Sequence, residues 1–307
     1  MADGGSELTF SDVTINDIDR IYAYTSLYGE GSCQHSPVSM YSLSEKYGDM
    51  VCILDDVLYT LRSNLCDDEY RVYLAPMTGH NIKEAFEKII LDAGSYGKRV
   101  SFISLTEQYA RELEDDFPGM FEITEERDLA EYMYKADIMA GFYGSNLRKR
   151  RAEVNTFYNR YKERASVSDI TPDDLDSLME FEHKWMTQNR ETHDADALDR
   201  DARMIEMQLR CFDELKLFGV ILRIDGKIEG FSYGSKLNDD VYDVIVEKAN
   251  RDIPHCYKAL RQASAKQCSE TCSIINYEED VGIPGLRYMK CSYKPEYLLR
   301  KFTAIGR

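Results

Sequence analysis

The residues best suited to chemistry form one polar run near the end of the chain, at residues 275–295. A predicted strand ends there in three successive carboxylates (residues 278–280), glycines bracket Pro284, and Arg287 and Lys290 stand three residues apart. On a helix this spacing places the guanidinium and the ammonium on one face. Cations near the start of a helix oppose its dipole, and an anion bound between them would remove that conflict. The run therefore predicts an anion site, and a solvated turn crossed by ion pairs is the alternative.

A second candidate is the basic stretch SNLRKRR at residues 145–151. Ser145 suits the N-cap of a predicted helix, but the position that a capping box gives to Glu holds an arginine. Each cation in the first turns costs roughly a few tenths of a kcal/mol unless something negative binds there. The four cations of the stretch are Arg148, Lys149, Arg150 and Arg151. A solvated face paired with acidic neighbours is one interpretation, and a phosphate or nucleic-acid contact is the other.

The third candidate is the strand end VIVEK at residues 244–248. Acyl transfer to an amine needs a group that takes the proton, a polarised carbonyl, and often a hydroxyl that protonates the leaving group. Glu247 is the candidate base and Tyr293 the candidate acid. Because side chains alternate along a strand, Glu247 shares a face with Asp243, and simple exposure of Glu247 explains the pattern equally well. Glu182, on the apolar stripe of another predicted helix, is either a residue at the edge of that stripe or a partly buried carboxylate with a raised pKa.

Composition and charge narrow the class of protein. The chain has 307 residues, 43% of them apolar, and a formal net charge of −17. This length exceeds what one core usually supports, so two domains are expected. The overall charge repels nucleic acid and anionic membranes at long range. Two segments are nevertheless basic, residues 145–164 with seven cations against two glutamates and residues 286–307 with six cations against one. This pattern predicts a defined anionic ligand.

Several classes of protein are disfavoured by the sequence. No stretch approaches the ~20 apolar residues of a membrane helix, and the N-terminus lacks the regions of a signal peptide. The eight cysteines lack paired C-x-x-C spacing and are expected to be free, mostly buried thiols. The five histidines show no metal-ligand or triad pattern, and THDAD at residues 192–196 predicts an acidic loop. We therefore expect a cytoplasmic protein without a metal site.

The elements that would position these residues occur twice in the same order. Each half has a hairpin of strands, a third strand, a helix, a further strand and a second helix, and the hairpins turn at Asp55-Asp56 and Asp225-Gly226. MFEITEE and AEYMYKA are predicted to close the first half as a strand pair, and YLLRKFTAI to close the second. This is the layout of the general N-acyltransferase fold.

The predicted architecture is an α/β (α+β) protein of two tandem N-acyltransferase-like domains, each with a mixed, largely antiparallel sheet flanked by helices. The boundary is predicted near Gly144, where glycines interrupt the pattern before a long helix. The expected domains are residues 1–144 and residues 145–307, and the second should carry the active site.

The polar run also resembles a known family. The spacing N-x-E-x-D-x-G-x-x-G-L-R-x-x-K-x-x-Y-x-P is matched by Asn276, Glu278, Asp280, Gly282, Gly285, Leu286, Arg287, Lys290, Tyr293 and Pro295. Further matches are a Y-x-Y-K…D segment at residues 132–137 and the L-R-K-R-R stretch with Asn155 and Phe157 beyond it. The chain is similar to a bacterial family of uncharacterised proteins related to the C-terminal catalytic domain of phosphatidylglycerol lysyltransferases.

The resemblance implies transfer of an aminoacyl group, carried by aminoacyl-tRNA, to an acceptor through the second domain. By position, Asp280, Arg287 and Lys290 would hold the reacting ester, an acceptor phosphate, or both. Asn276, Glu278 and the basic stretch would bind substrate.

Two departures from the family limit what is carried over. The membrane-embedded half of the lysyltransferases has no counterpart here, which argues against a lipid acceptor. The segment ANRDIPHCYKA, where an acetyl-CoA pyrophosphate loop would lie, contains no glycine, which argues against acetyl-CoA. The alternatives are an N-acyltransferase that binds acyl-CoA in a different pocket and a non-catalytic module that binds an anionic metabolite.

Overall fold

The computed structural model describes residues 7–190 and 195–307. The chain divides into two compact units, the first made of Met1–Glu131, Glu279–Ile283 and Leu298–Arg307, the second of Tyr132–Glu278 and Pro284–Tyr297. The predicted boundary at Gly144 therefore falls inside the second unit. The acidic loop predicted at residues 192–196 lies mostly outside the described residues. No described helix is both long enough and apolar enough to cross a bilayer.

The first unit is an open sheet with helices on both faces. Its first elements, in chain order, are β1 (Ser11–Asp12), α1 (Ile18–Tyr28), α2 (Pro37–Ser42), α3 (Ser44–Tyr47), β2 (Asp49–Leu54), β3 (Val57–Arg62), β4 (Tyr70–Tyr73), α4 (Ile82–Ser95), β5 (Arg99–Leu105), α5 (Glu107–Asp116) and β6 (Phe121–Glu125). The predicted hairpin of β2 and β3 is confirmed, and its turn residues Asp55 and Asp56 both have positive φ. A two-residue turn in which both residues have positive φ matches the right-handed twist of the strands that it joins.

Alternating side chains explain how this sheet is covered on both faces. Val51 and Leu58 belong to the core that Ile21 of α1 completes, whereas their neighbours Cys52 and Tyr59 belong to the core under α4 and α5. This is the period of two that a pleated strand imposes.

The second unit is also a sheet with helices on both faces, and it contains most of the elements that follow β6; the last strand, β14, belongs to the first sheet. The remaining elements are β7 (Glu131–Lys135), α6 (Ala136–Gly141), α7 (Arg148–Tyr161), β8 (Ala165–Asp169), α8 (Leu175–Asn189), α9 (Ala195–Arg210), β9 (Phe218–Ile224), β10 (Lys227–Lys236), β11 (Val241–Ala249), α10 (Cys256–Cys268), β12 (Ile274–Asn276), α11 (Pro284–Ser292), β13 (Tyr297–Leu299) and β14 (Phe302–Gly306). Phe157 of α7 and Leu260 of α10 pack against Leu222 of β9 on one face. On α8, Phe181 packs edge-on against Phe231 of β10.

Each sheet has seven strands, in the orders β1-β2-β3-β4-β5-β14-β6 and β13-β7-β12-β11-β10-β9-β8. β4 with β5 and β11 with β12 run parallel, whereas β2 with β3, β5 with β14, β7 with β12, and the β8–β9–β10–β11 series run antiparallel. The predicted fold, two mixed and largely antiparallel sheets flanked by helices in tandem N-acyltransferase-like domains, is confirmed.

The predicted closing strands are partly wrong. β6 pairs with β14 and not with β7, which pairs antiparallel with β12 in the second sheet. The segment YLLRKFTAI is split into β13 and β14, and β14 joins the first sheet. Burial explains the exchange, because four of the five residues of β7 are buried, as a central strand requires, whereas β6 is largely exposed. Hydrophobic alternation identifies a strand but not the sheet to which it belongs.

The parallel pair of the second unit separates early. β12 pairs with β11 only where Val241–Asp243 oppose residues 274–276. β11 then continues through residues 244–249, where it stays paired with β10 on one edge but no longer has β12 on the other. We call the region between this edge of β11, which β12 leaves after Asp243, and the chain that follows Asn276 the wedge.

Candidate functional site

A buried arginine organises the polar side chains beside the wedge. Arg261 projects from α10 to Glu247 on β11, with its Nε 3.1 Å from one carboxylate oxygen and Nη2 2.5 Å from the other. The two side chains are only 10% and 9% exposed. This fork-to-fork geometry is the strongest form of an ion pair between side chains. Both oxygens of Glu247, the predicted base, are therefore held by one guanidinium, and a role as base requires this pair to open.

Three further side chains surround the same guanidinium. Nη1 of Arg261 lies 2.9 Å from the Met289 sulfur, and the guanidinium carbon lies 5.2 Å from the Tyr277 ring centroid and 4.6 Å from that of Tyr293. Burial lowers the pKa of Arg261, but Glu247, Tyr293 and Tyr277 together outweigh burial and raise that pKa. We refer to these five residues as the Arg261 cluster, a permanent positive charge between a carboxylate and two phenol rings.

Tyr277 is the member of the cluster with unused hydrogen-bonding capacity. It follows β12 directly, is 8% exposed, and its buried hydroxyl has no hydrogen-bond partner in the described part of the chain. Burial, followed by the nearby Glu247 charge, raises the pKa of Tyr277 well above its usual value, so the phenol stays protonated. Leaving a buried donor unsatisfied costs about 1–3 kcal/mol. The Arg261 cluster thus contains a proton donor that a ligand oxygen could satisfy.

Helix α11 carries two of the predicted site residues. Lys290 is buried, and its Nζ donates to the Tyr277 carbonyl at 2.5 Å. The carbonyl of Lys290 in turn accepts from the Tyr134 hydroxyl at 2.8 Å. Lys290 therefore fixes the backbone that carries the Tyr277 phenol. Arg287, one turn earlier, is partly exposed.

The basic stretch divides into two anchored and two exposed cations. Arg150 binds Glu153 at 3.1 Å and the Ser292 hydroxyl at 2.9 Å, and its guanidinium lies 5.1 Å from the Tyr293 ring. Arg151 donates to the Phe142 carbonyl at 2.6 Å, at the end of α6. The exposed pair, with no partner among residues 7–190 and 195–307, is Arg148 and Lys149. Of the four cations, this pair is the one available to an external anion.

Glu153 explains why the anchored half of the stretch is stable. Lys258 of α10 binds its second oxygen at 3.0 Å. Burial opposes ionisation of Glu153, but the hydrogen bonds from Lys258 and Arg150 outweigh burial and hold the pKa of this carboxyl below its usual range. The carboxylate therefore joins α7 to α10 and offsets the two cations.

The three carboxylates of the polar run have separate places. Asn276 is fully buried and its side-chain oxygen accepts from the Glu278 amide at 2.7 Å, which stabilises a turn in which Glu278 has a φ of 55°. Asp280 belongs to the first unit, where it is fully buried, accepts from the Gly282 amide at 2.9 Å and lies 3.4 Å from Arg127. Glu279, in the same unit, accepts from the Gln34 amide at 3.4 Å.

Among the predicted site residues, the second unit brings Glu247 and Tyr293 together around Arg261, and Arg150 lies against the Tyr293 ring. Lys290 joins this group through the Tyr277 backbone. The prediction omitted Arg261, Tyr277 and Met289. The detectable signal for Arg261 was its position among the small residues of ALRQASA, because small residues on all sides indicate a helix that is closely packed throughout.

A second polar group lies around Lys248, the neighbour of Glu247 on β11. Its Nζ is 3.3 Å from Glu182, 2.5 Å from Asp201, and 4.0 Å from the Trp185 ring. Burial, reinforced by Asp201, raises the pKa of Glu182 to about 7 against the opposing effect of Lys248. Glu182 is therefore a buried carboxylate and not a residue at the exposed edge of the apolar stripe. Within the described ranges, no group of three or more His, Cys, Asp or Glu residues is placed to hold a metal ion.

Comparison with solved structures reveals a common fold. A conserved protein of unknown function from Bacteroides thetaiotaomicron is 29% identical and superposes with a TM-score of 0.90, over 98% of this chain and all (100%) of that one. The C-terminal domain of a putative lysylphosphatidylglycerol synthetase from Agrobacterium fabrum is 12% identical, with a TM-score of 0.66 over 95% of this chain and 92% of that one. At this low identity the second likeness is one of fold.

Sequence comparison identifies the family. An uncharacterised protein of Mycoplasmoides gallisepticum is 22% identical over 171 residues, which are 56% of this chain and 54% of that protein. The chain thus matches about half the length of that curated relative. The family described as phosphatidylglycerol lysyltransferase, C-terminal, matches residues 25–305. Because this match extends through nearly the whole sequence, the chain belongs to the phosphatidylglycerol lysyltransferase C-terminal family.

Proposed function

We propose that the protein is an aminoacyltransferase that moves an aminoacyl group from aminoacyl-tRNA to an acceptor amine or hydroxyl, with the chemistry in the second unit. The observation that carries this proposal is the Arg261 cluster beside the edge of β11 that β12 leaves after Asp243. It combines a fixed positive charge with a protonated phenol, and both stabilise negative charge that develops on a reacting carbonyl. Family membership supports the same reaction class.

The proposed reaction needs two proton movements. The acceptor nitrogen or oxygen attacks the ester carbonyl carbon, the bond between that carbon and the terminal ribose oxygen breaks, and the proton that the acceptor loses replaces the one that Tyr293 gives to the ribose oxygen. The Tyr277 hydroxyl would donate to the carbonyl oxygen, and Tyr293 stays the candidate acid for the leaving oxygen. Glu247 would hold Arg261 in place.

The other predicted residues keep supporting roles in this proposal. Arg287 is proposed to contact the ester or an acceptor phosphate. Asp280, fully buried in the first unit, is proposed to hold the turn at Gly282. Lys290 would position Tyr277, since the Lys290 Nζ donates to the Tyr277 carbonyl.

A charged RNA donor is favoured by the exposed half of the basic stretch. Arg148 and Lys149 are solvent-exposed at the start of α7 in a chain whose formal net charge is −17. A phosphate backbone would offset this local concentration of positive charge. An acyl-CoA donor is disfavoured because the segment between β11 and α10 contains no glycine and so lacks the close backbone approach that a pyrophosphate loop needs.

Binding and transfer are tested with mixed aminoacyl-tRNA in which the amino acids are radiolabelled. We expect charged tRNA to raise the melting temperature of the protein. We also expect the labelled amino acids to move from the tRNA to molecules of an added mixture of amines and alcohols. Arg287→Ala should weaken binding without unfolding, whereas Arg210→Ala, a surface arginine of α9 paired with Glu206, should bind normally. Stabilisation by acyl-CoA, but not by charged tRNA, would overturn the choice of donor.

The exposed cations give a separate test of the RNA interaction. Replacing Arg148 and Lys149 by Ala should weaken tRNA binding and lower the slope of log affinity against log salt by roughly 0.7–0.9 for each RNA phosphate that the variant no longer neutralises. Arg111→Ala, in a surface pair with Glu107 of the first unit, is the matched control and should leave the slope unchanged. An unchanged slope in the double variant would show that α7 does not bind the RNA.

A further inference from the structure

We infer that a cleft in the first unit binds an aliphatic ammonium group, a site independent of the proposed transferase chemistry. The cleft has a volume of about 370 Å³. Three segments of this unit form it: the end of α1 with Tyr28 and Glu30, the loop before α4 with Gly79 and His80, and the first turns of α5 with Tyr109 and Glu112. This volume lies near the lower end of the range for small-molecule sites.

The walls of the cleft are held in place by contacts between the three segments. The hydroxyl of Tyr109, a residue only 5% exposed, donates to the Tyr28 carbonyl at 2.9 Å and joins α5 to the end of α1. A Cβ at Gly79 would lie 2.5 Å from the Tyr28 hydroxyl, so only glycine lets the loop approach this closely. Thr78 donates to the His80 carbonyl at 2.9 Å and fixes the loop itself. The cleft is therefore formed before any ligand binds.

The charges of the cleft are negative. Glu30 and Glu112 line it, none of the lysines and arginines in the described ranges does, and His80 lies 3.6 Å from the Asp56 carboxylate. Burial, followed by Glu30 and Glu112, raises the pKa of the Tyr109 hydroxyl. The two carboxylates, one from each side, thus act on the same phenol at the wall of the cleft. An anionic ligand would be repelled there.

The chemistry that fits this combination is a primary ammonium on a short hydrocarbon chain. The carboxylates would bind the ammonium, and the Tyr28 and Tyr109 side chains, with the exposed Leu27 at the rim, would cover the methylene groups. Such a group occurs in free diamines and in the lysine side chain of a peptide. Both share the same recognition chemistry, and the experiment separates them.

Calorimetry on the full chain at low ionic strength tests the site with four probes. These are 1,5-diaminopentane, N-acetyl-lysine methylamide, 1-pentanol and glutarate. We expect the diamine or the lysine derivative to bind and the alcohol and the dianion not to bind. Tighter binding of the lysine derivative would identify a peptide side chain, and tighter binding of the diamine a free amine.

Matched variants show whether the cleft is responsible. Glu30→Gln with Glu112→Gln should weaken ammonium binding at least tenfold, while Glu114→Gln, on α5 but outside the cleft, should not. Gly79→Ala should also weaken binding by displacing the Tyr28 ring, and melting curves of each variant exclude unfolding. Equal binding of pentanol and diamine, or full binding by the double glutamine variant, would overturn the inference. Arg287→Ala should bind the diamine normally, which separates this site from the proposed transferase site.

Discussion

Both units contain a strand with a parallel neighbour, followed by a helix, and in both an arginine–carboxylate pair joins the strand to the helix. In the first unit the arginine is on the strand: Arg71 of β4 binds Asp92 of α4 at 3.0 Å. In the second unit the carboxylate is on the strand, since Glu247 of β11 binds Arg261 of α10. The ion pair is the same, but its direction is reversed.

The tyrosine beside each pair differs more. The Tyr73 hydroxyl donates to Asp92 and accepts from Arg71 at 2.8 Å. The side chains of Arg71, Tyr73 and Asp92 therefore satisfy one another. The hydroxyl of Tyr277 has no such partner among the described residues. A fully satisfied buried network stabilises one structure, whereas a partly satisfied one carries a cost that a bound ligand can remove. The comparison indicates that the first pair is structural and that the second is open to a substrate.

The largest effect is expected when one pair loses its carboxylate. Glu247→Ala should lower the free energy of unfolding by about 3–5 kcal/mol, because Arg261 stays buried without its counter-charge. Asp92→Ala should cost less, since Arg71 also stacks 3.9 Å from the exposed Tyr96 ring and can turn to solvent. Urea unfolding of both variants measures the difference.

A paired replacement serves as the control for this prediction. Glu247→Leu combined with Arg261→Met should recover most of the lost stability, because apolar side chains of similar size replace the whole pair, yet it should abolish transfer. If Glu247→Ala unfolds within about 1 kcal/mol of the parent, the pair is not the buried anchor described here.

The tyrosines give an intermediate effect with opposite signs for stability and activity. Tyr73→Phe should cost about 1.5–3 kcal/mol, since it removes a hydrogen bond to a charged group. Tyr277→Phe should leave stability unchanged or higher, because the deleted hydroxyl has no partner to lose among the described residues. Transfer should nevertheless fall about 10²-fold in Tyr277→Phe, as expected for loss of a positioned proton donor. A Tyr277→Phe variant that is destabilised but fully active would show that the hydroxyl is structural.

The sequence predicted most of this architecture because period and turn chemistry are local properties. The β9–β10 hairpin at Asp225-Gly226, the helix α7 and the strand β11 all follow from patterns within about a dozen residues. The exchange of β7 and β14 could not be predicted, because the choice of sheet depends on partners more than a hundred residues away.

The candidate site was predictable only in part for the same reason. Glu247 and Tyr293 were found from their residue types and positions, but Arg261 joins them only after α10 packs onto β11. Tyr277 carries no signal in the sequence, since its distinguishing property is a missing hydrogen bond. The charge count of the basic stretch likewise could not separate Arg150, anchored to Ser292, from the exposed Arg148.

The smallest effect concerns pH, and it compares one buried carboxyl from each unit. Burial raises the pKa of Asp49 in the first unit to about 6 despite Arg62, and that of Glu182 in the second to about 7. A carboxyl with a raised pKa holds its proton longer in the folded state, so it makes folding less favourable as the pH rises from its unfolded pKa to its folded pKa. For Glu182 this window extends from 4.5 to about 7.

Glu182→Gln should therefore flatten the loss of stability between pH 4.5 and about 7, by an amount on the order of 1–3 kcal/mol. Asn at position 49 (Asp49→Asn) should flatten only the lower range, from pH 3.8 to about 6. Urea unfolding at half-unit pH steps distinguishes the two windows. Parallel curves for the parent and Glu182→Gln would mean that Lys248, 3.3 Å away, keeps this carboxylate ionised in the folded protein. In that case Glu182 would be an ionised, paired carboxylate like Asp92 of the first unit. The contrast between the units would then rest on Tyr277 alone.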